Sequence, residues 1–434
     1  MRFALFLLVN AMLFIRPAEL SPALLGLPIY EVCILACLAA AYPAVVDVFS
    51  PRRLLEKPLN LCVVAMLPAI VLSSLSVGEA DAAFEHGVEF AKILLYYGLL
   101  VGVTDSPKRL KALLAWTAVF ALFVTTLAVL HYHHVITLES IRFVETSFDG
   151  SGQVESNVAR LGSTGLFQDP NDMCLMLGMA MVACLYQAVE LRRWYWAAPL
   201  AFFGYALMLT HSRGGFLAMV AALGTLLAAR LGRRAVPVAL VALPLVFFVF
   251  GGRQTNFSSA LGSEGTGATR VQLWADGLTL FVRRPFLGIG TDHYAPEMGH
   301  VAHNSFIHCY VELGLVGGSV FLSAFYLAFW PLVRLGGRGV SREALGDDLS
   351  RLRPYVMAIV VGYATGLFSL SCPYTIPTYT VLGIASVYLT LAERALGVPV
   401  ARINPKLVFR LSWLSLFFIT TAYLVVCVVI RRAA

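Results

Sequence analysis

The chain has 434 residues, of which 59% are apolar and only 13% charged, and it carries a net charge of +7. A soluble protein of two or three domains, which the length alone would suggest, does not fit that balance. Nor is nucleic acid needed to explain the positive charge, because the cytoplasmic connections of a membrane protein collect Lys and Arg.

Apolar runs of about 16–25 residues suit a hydrocarbon core about 30 Å thick at about 1.5 Å per residue. In chain order they fall near 3–15, 24–46, 59–77, 86–103, 110–130, 172–190, 194–211, 214–230, 235–250, 305–333, 354–371, 376–392 and 407–430. The first is short enough to resemble a signal-peptide core. Arg16-Pro17 follows it without a small-residue cleavage site, so an uncleaved helix is expected. The fold class is therefore an all-α polytopic membrane protein, a single domain over 1–434 with 12–13 transmembrane helices. Its one large outer loop, 251–304, lies between the ninth and tenth spans, and 407–430 adds a thirteenth helix to a twelve-helix body. The eight cysteines lie mostly inside apolar runs, with no C-x-x-C, and read as packing residues.

Lys and Arg orient the spans. Arg52, Arg53 and Lys57 follow the second, Lys108, Arg109 and Lys111 the fourth, Arg192 and Arg193 the sixth, and Arg230, Arg233 and Arg234 the eighth. Arg334, Arg338, Arg342, Arg351 and Arg353 follow the tenth, and Arg394, Arg402 and Lys406 the twelfth. Every second connection is basic, which predicts a cytoplasmic N-terminus, with Arg431-Arg432 as a mild violation. The opposite connections are 78–85, 131–171, the corner His211-Ser212-Arg213, 251–304 and 372–375. Basic residues on that side break the bias, and an anionic ligand is a reason for them. The loop 131–164 is polar and is expected to pack over the outer ends of the helices.

Three helices begin on the outer side with capping chemistry: Asp169-Pro170-Asn171-Asp172, Ser212-Arg213-Gly214-Gly215 and His303-Asn304-Ser305. Each start leaves free N–H groups and the positive end of a helix dipole. Singly these are ordinary caps; converging, they form an anion site. Arg213 sits in a two-residue corner at the membrane boundary, where it either serves a ligand or snorkels to a lipid phosphate. Arg270 precedes Trp274 at helical spacing, with Asp276 and Glu264 as alternative ion-pair partners. Lys92 lies inside a predicted span, with Glu89 at i−3. His303, at a helix start among arginines, is expected to be neutral and able to accept a proton. His300, His303 and His308 do not share a helix face, so no metal is expected, and Gly288-Ile289-Gly290 lacks the third glycine of a dinucleotide fingerprint.

His303-Asn304, nine residues, then Gly314-Leu315-Val316-Gly317 resembles the H-[NSQ]-x9-G-x-x-[GTY] signature of bacterial O-antigen ligases. Arg213 with Leu217 resembles the family's R-x3-L element. The stretch Arg270…Trp274…Pro285-Phe286-Leu287-Gly288-Ile289-Gly290…Tyr294…His303-Asn304-Ser305…Glu312-Leu313-Gly314 is similar to the block shared across the O-antigen ligase and polymerase superfamily. The resemblance implies a metal-independent, inverting glycosyltransferase of the GT-C type in the bacterial inner membrane, with a periplasmic active site and no cofactor. It implies an undecaprenyl-diphosphate-linked glycan as donor, and lipid A-core, a growing glycan or a protein hydroxyl as acceptor. Arg213 and Arg270 match the arginines that hold the donor diphosphate, His303 matches the histidine that activates the acceptor, and Lys92 is a further diphosphate candidate. Asn304, Asn171, Asp169, Arg160 and Arg142 are secondary candidates. The Asp169–Asp172 element and the thirteenth helix resemble polymerases as much as ligases. A flippase or other transporter is the alternative from another class; against it, the sequence shows no repeated halves and its ionic residues gather at one face.

Overall fold

The computed structural model describes residues 1–20, 22–24, 26–141, 144–148, 154–238, 266–337 and 341–433. Along the chain run helices α1 (Arg2–Ile15), α2 (Ile29–Val48), α3 (Pro58–Ser76), α4 (Ala80–Val103) and α5 (Pro107–Tyr132). Strands β1 (Val144–Phe148) and β2 (Val154–Ala159) come next, then α6 (Pro170–Leu185), α7 (Ala197–Leu209) and α8 (Arg213–Leu231). The last six are α9 (Thr266–Arg283), α10 (Tyr294–Met298), α11 (Ser305–Arg334), α12 (Asp347–Gly366), α13 (Ile376–Leu396) and α14 (Pro405–Ala433).

Among the described residues nine helical stretches are long and apolar enough to cross a membrane: α1 continued to Leu20, α2 to α5, α6 continued to Glu190, α8, α11 and α14. The chain is a multi-pass membrane protein. The sequence suggests thirteen spans, and four of them fall outside the nine. The run 235–250 lies almost wholly outside the described residues. The run 194–211 makes only a short apolar helix, and α12 and α13, at 20 and 21 residues, are long enough but not among the nine. In α12 the first turns are taken up by Asp347, Asp348, Arg351 and Arg353.

Two further details depart from the sequence reading. The expected outer loop 251–304 contains helix α9 and the short α10, while 251–265 lie outside the described residues. The connection 131–171 contains an antiparallel hairpin that pairs Val144 with Ala159, so among the described residues the fold is helical with one small sheet. Its far end is tied to helices: Tyr132 Oη donates to the Ala159 carbonyl at 3.4 Å, and Leu161 N–H to that of Leu209 at 2.9 Å.

The chain divides into two compact units interleaved in sequence. The first comprises Met1–Ala44, Gly102–Phe257 and Leu345–Gly366; the second comprises Val45–Val101, Ser258–Ala344 and Leu367–Ala434.

In the first unit α6 packs against α7, α8 and α12, and α8 lies along α12. Gly215 sets the approach of α8 to α6, since a β-carbon there would lie 2.3 Å from Cys174 Cβ. Polar groups concentrate at the two ends of these helices. At one end Arg230 pairs with Glu190 at 2.8 Å and donates to Tyr355 Oη at 3.0 Å, while Lys111 pairs with Asp348 at 2.8 Å. These are basic connections of the positive-inside reading. The starts of α6 and α8, with Asn171 and Arg213, lie at the other end.

In the second unit α11 packs on α3, α9, α13 and α14. Lys57 before α3 pairs with Glu393 near the end of α13, again joining two basic connections. At the opposite end α11 is broken. Gly314 has φ 64° and ψ −162°, a region open essentially to glycine alone. The break exposes backbone groups that helical pairing would otherwise satisfy, and the loop 285–290 satisfies them. Leu315 N–H donates to the Pro285 carbonyl at 2.7 Å and Val316 N–H to that of Phe286 at 3.2 Å. In return, Ile289 N–H donates to the Val311 carbonyl at 3.1 Å and Gly290 N–H to that of Glu312 at 3.3 Å. Close packing here requires Gly288 as well, with φ 76° and no room for a β-carbon beside the Glu312 carbonyl.

Candidate active site

In the first unit the sequence candidates meet at the starts of α6 and α8. Asp169 caps α6, with its carboxylate accepting the Asn171 N–H at 2.6 Å and the Asn171 side-chain amide at 2.8 Å. Ser212 caps α8, accepting the Gly215 N–H at 3.0 Å. Asn171 joins the two caps: its Oδ1 accepts the Ser212 hydroxyl at 2.6 Å and Arg160 Nη2 at 3.2 Å. Arg160 is buried, and its Nε donates to the Thr210 carbonyl at 2.9 Å. The corner between α7 and α8 turns at His211, with φ 51°. Arg213, partly buried, is the first residue of α8. Two helix N-termini and the Arg160 guanidinium thus stand together, with Arg213 opening α8, an arrangement that favours an anion through oriented N–H groups, dipoles and charge.

In the second unit the site is built around the start of α11. His303 has φ 48°, a left-handed conformation uncommon outside glycine. Asn304 follows as the cap, its Oδ1 accepting the N–H groups of Phe306 and Ile307 at 3.1 and 3.2 Å. Ser305 ties this entry to the chain after α12. Its N–H donates to the Leu367 carbonyl at 2.8 Å and its hydroxyl to the Leu370 carbonyl at 2.6 Å, while the hydroxyl also accepts the Cys372 N–H at 3.0 Å. On the other side Trp274 of α9 donates its indole N–H to the buried Ala302 carbonyl at 2.7 Å. Arg270 lies one turn before Trp274, so both side chains fall on the same face of α9. That face meets the residue preceding His303.

Below this entry lies Glu312, fully buried in a helix apolar enough to span a membrane. Its Oε1 accepts the Tyr294 N–H at 3.1 Å; its Oε2 accepts Tyr374 Oη at 3.1 Å and lies 3.0 Å from His308 Nε2. Its backbone carbonyl accepts the Ser73 hydroxyl at 2.5 Å. One residue therefore gathers α3, the loop 288–290, α10 and the loop before α13. Burial, then the neighbouring Glu312 carboxylate, pushes the Tyr374 phenol well above its ordinary value, so Tyr374 stays a donor. The sequence reading singled out neither Glu312 nor Tyr374 as a site residue. The signal it had was a lone carboxylate in an apolar run, four residues after a histidine.

His293, before α10, has Nδ1 2.9 Å from the Thr291 carbonyl and Nε2 3.1 Å from a Glu79 carboxylate oxygen. Neither oxygen donates, so both ring nitrogens do. Burial lowers the pKa of His293, but the Thr291 carbonyl and Glu79 more than offset it, and the net direction is upward.

The remaining candidates lie apart from these contacts. Lys92 of α4 pairs with Glu89 at 2.5 Å, with 63% of each side chain exposed. Arg142 lies outside the described residues.

Residues 198–322 match a family model described as O-antigen ligase. The matched segment contains Arg213, Arg270 and His303, the break at Gly314 and the loop that fills it. It coincides with the stretch on which the motif resemblance rests. No curated protein matches the chain.

Proposed function

We propose that this multi-pass membrane protein transfers a glycan from a polyprenyl-diphosphate carrier, undecaprenyl diphosphate in bacteria, to an acceptor hydroxyl at the periplasmic face of the inner membrane. One observation carries the reading: the segment that matches the O-antigen ligase model holds Arg213, Arg270 and His303. Arg213 opens α8, and Arg270 lies on the face of α9 that is fastened to the residue before His303.

The chemistry follows from those positions. A diphosphate leaving group gains negative charge as the bond to the anomeric carbon breaks. Arg213, beside the caps of α6 and α8, and Arg270 of α9 stabilise that charge, with Arg160, Asn171 and the helix N–H groups as fixed polar support. Lys92 is an additional diphosphate contact in this reading. His303, held in a left-handed turn, takes the proton of the acceptor hydroxyl as its oxygen attacks from the face opposite the leaving group, which inverts the anomeric centre. These residues supply the charge stabilisation themselves, so the reaction proceeds without a metal.

The test uses purified protein, a defined lipid-linked donor and EDTA. Glycan transfer is expected, with Arg213→Ala, Arg270→Ala and His303→Ala each losing about 10²–10³-fold in rate. Full activity in both Arg213→Ala and His303→Ala would end the assignment. The polymerase reading keeps the same site and differs in acceptor. Mass analysis of the products separates them, since chain growth without added acceptor marks a polymerase and capture on lipid A-core marks a ligase.

A further inference from the structure

The loop that carries Arg160 and Asn171 into the site of the first unit is gripped at its tip by the chain that follows α1. Its two feet are joined to each other, since Arg160 Nη2 donates to Asn171 Oδ1 at 3.2 Å. Between them the chain turns back on itself: Ser163 N–H donates to the Phe167 carbonyl at 2.7 Å, and Phe167 N–H to that of Thr164 at 3.2 Å. Ser163, Thr164 and Phe167 are buried, and Gly165 stands at the tip with φ 63°.

Glu19 meets that tip. Its Oε2 accepts the Gly165 N–H at 2.8 Å and its Oε1 accepts Arg16 Nη1 at 2.7 Å, so both carboxylate oxygens are engaged. Arg16 closes the arrangement. It follows α1 in a left-handed conformation, φ 45°, and its side chain crosses Gly165 so closely that a β-carbon there would lie 2.5 Å from Arg16 Cδ. Just before it, Phe14 packs on Phe167 with ring centroids 5.3 Å apart. Phe14, Arg16 and Glu19 thus hold the turn from one side, all within the first unit.

The roles assigned above do not use this carboxylate, and Arg16 already balances its charge. What it supplies is a fixed point. Arg160 lies five residues before Gly165, and Asp169, the cap of α6, four residues after it. The feet are tied to α7 as well, through the bonds of Arg160 Nε to the Thr210 carbonyl and Leu161 N–H to that of Leu209. The Gly165 N–H is where the tip is bonded to chain outside the loop. Groups that hold a ligand must stay within about 0.5 Å of the productive geometry. A loop released at its tip has to be reordered when the anion binds, and that cost appears in affinity rather than in the chemical step.

We propose that Glu19 is a positioning residue for the lipid-diphosphate donor: it fixes the loop 160–171 at Gly165 and so keeps Arg160 and Asn171 in register at the starts of α6 and α8. The inference rests on the glycosyl-transfer reading. Glu19 acts through the loop and makes no contact with the donor.

The experiment uses the full chain in nanodiscs and compares wild type with Glu19→Ala, Glu19→Gln and Glu19→Asp. It measures initial-rate transfer at varied donor and varied acceptor, and binding of undecaprenyl diphosphate without a glycan. Glu19→Ala is expected to raise KM for the donor and Kd for the carrier at least about fivefold, with kcat within about twofold and KM for the acceptor unchanged. Glu19→Gln keeps an oxygen for the Gly165 N–H and gives up only a partly exposed ion pair, so it should recover most of the affinity. Glu19→Asp keeps the charge but is one methylene shorter, and should bind the donor as weakly as Glu19→Ala. An unchanged donor KM in Glu19→Ala would overturn the proposal, as would a loss shared equally by kcat and acceptor KM, which marks general loosening. Should Glu19→Ala fail to fold, equal donor KM in Glu19→Gln and Glu19→Asp would overturn it. A wild type that neither transfers glycan nor binds the carrier would overturn the parent reading and this one with it. An active wild type beside an unaffected Glu19→Ala would overturn this one alone.

Discussion

Trp274→Phe tests whether the geometry of His303 matters as much as its chemistry. Phenylalanine keeps an aromatic ring where Trp274 packs against the buried cluster that includes Leu278, Ala302 and Ile307. It removes the indole N–H that reaches the Ala302 carbonyl at 2.7 Å. Ala302 is fully buried, so that carbonyl loses a donor that water cannot readily replace, at a cost of about 1–3 kcal/mol. The next residue is His303 with φ 48°, a conformation that costs about 1–3 kcal/mol by itself and persists only where its surroundings enforce it. Loss of the restraint therefore falls mainly on the population of the competent turn. At about 1.4 kcal/mol per factor of ten, transfer should drop by about 5- to 150-fold. The assay is initial-rate transfer from a lipid-linked donor at saturating and limiting donor, alongside thermal unfolding. The loss is expected in kcat, with KM for the donor nearly unchanged. Wild-type kcat in a folded Trp274→Phe protein would refute the claim that this bond holds the base in place.

Asn171→Ala deprives buried Arg160 and Ser212 of a shared acceptor and should destabilise the protein by about 1–3 kcal/mol, read as a lower Tm. Asn171→Asp keeps the acceptor oxygen but adds negative charge beside the anion site, so it should raise KM for the lipid-linked donor more than it lowers Tm. Gly314→Ala places a β-carbon 2.3 Å from the Phe286 carbonyl oxygen, at torsions costing about 1–3 kcal/mol, and thermal unfolding should shift down by several degrees. For His293 the folded pKa is raised, so its clasp on Glu79 and Thr291 contributes fully below the ordinary imidazole value. That contribution is lost as pH rises through the folded pKa. Amide hydrogen exchange in residues 290–298 should, once corrected for its intrinsic pH dependence, speed up over that window in wild type and show no such step in His293→Gln.

The helical body was legible because apolar runs, basic connections and caps are all local signals. Asp169, Ser212 and Asn304 stand before apolar runs, and each caps its helix through a side-chain oxygen. What escaped depends on segments far apart in sequence. Nothing in Val311-Glu312-Leu313-Gly314-Leu315 announces a broken helix, because the apolar character continues across it; the torsion at Gly314 and the loop 285–290 define the break together. Glu312 collects partners from Ser73 to Tyr374, a span that no periodicity covers. Helix α9 was hidden for another reason. Its start is rich in Thr and Gly, which read as loop, although Leu273, Trp274, Leu278 and Phe281 already recur at helical spacing. Lys92 lies in α4, within a candidate span as its apolar run indicates, and it is paired with Glu89 at i−3.

The two helix entries that carry His303 and Arg213 are built alike. Each has a residue at positive φ (His303, His211), then a cap (Asn304, Ser212), then the first helical turn. A chain leaving an apolar helix must reverse quickly, because each extra residue at that depth adds a backbone donor and acceptor that the surroundings cannot satisfy. A left-handed residue achieves the reversal in one step, and the cap then satisfies the exposed N–H groups. A polar side chain is left standing on a frame fixed by the helix behind it, at the positive end of the helix dipole. In α8 the first helical residue is Arg213, two positions after the left-handed His211, so its charge stands at the positive end of the dipole. In α11 the first helical residue is Ser305, and His303 is itself the left-handed residue before the cap, as His211 is before α8. The same left-handed residue and cap thus open both helices, with an arginine just inside one and a histidine at the turn of the other.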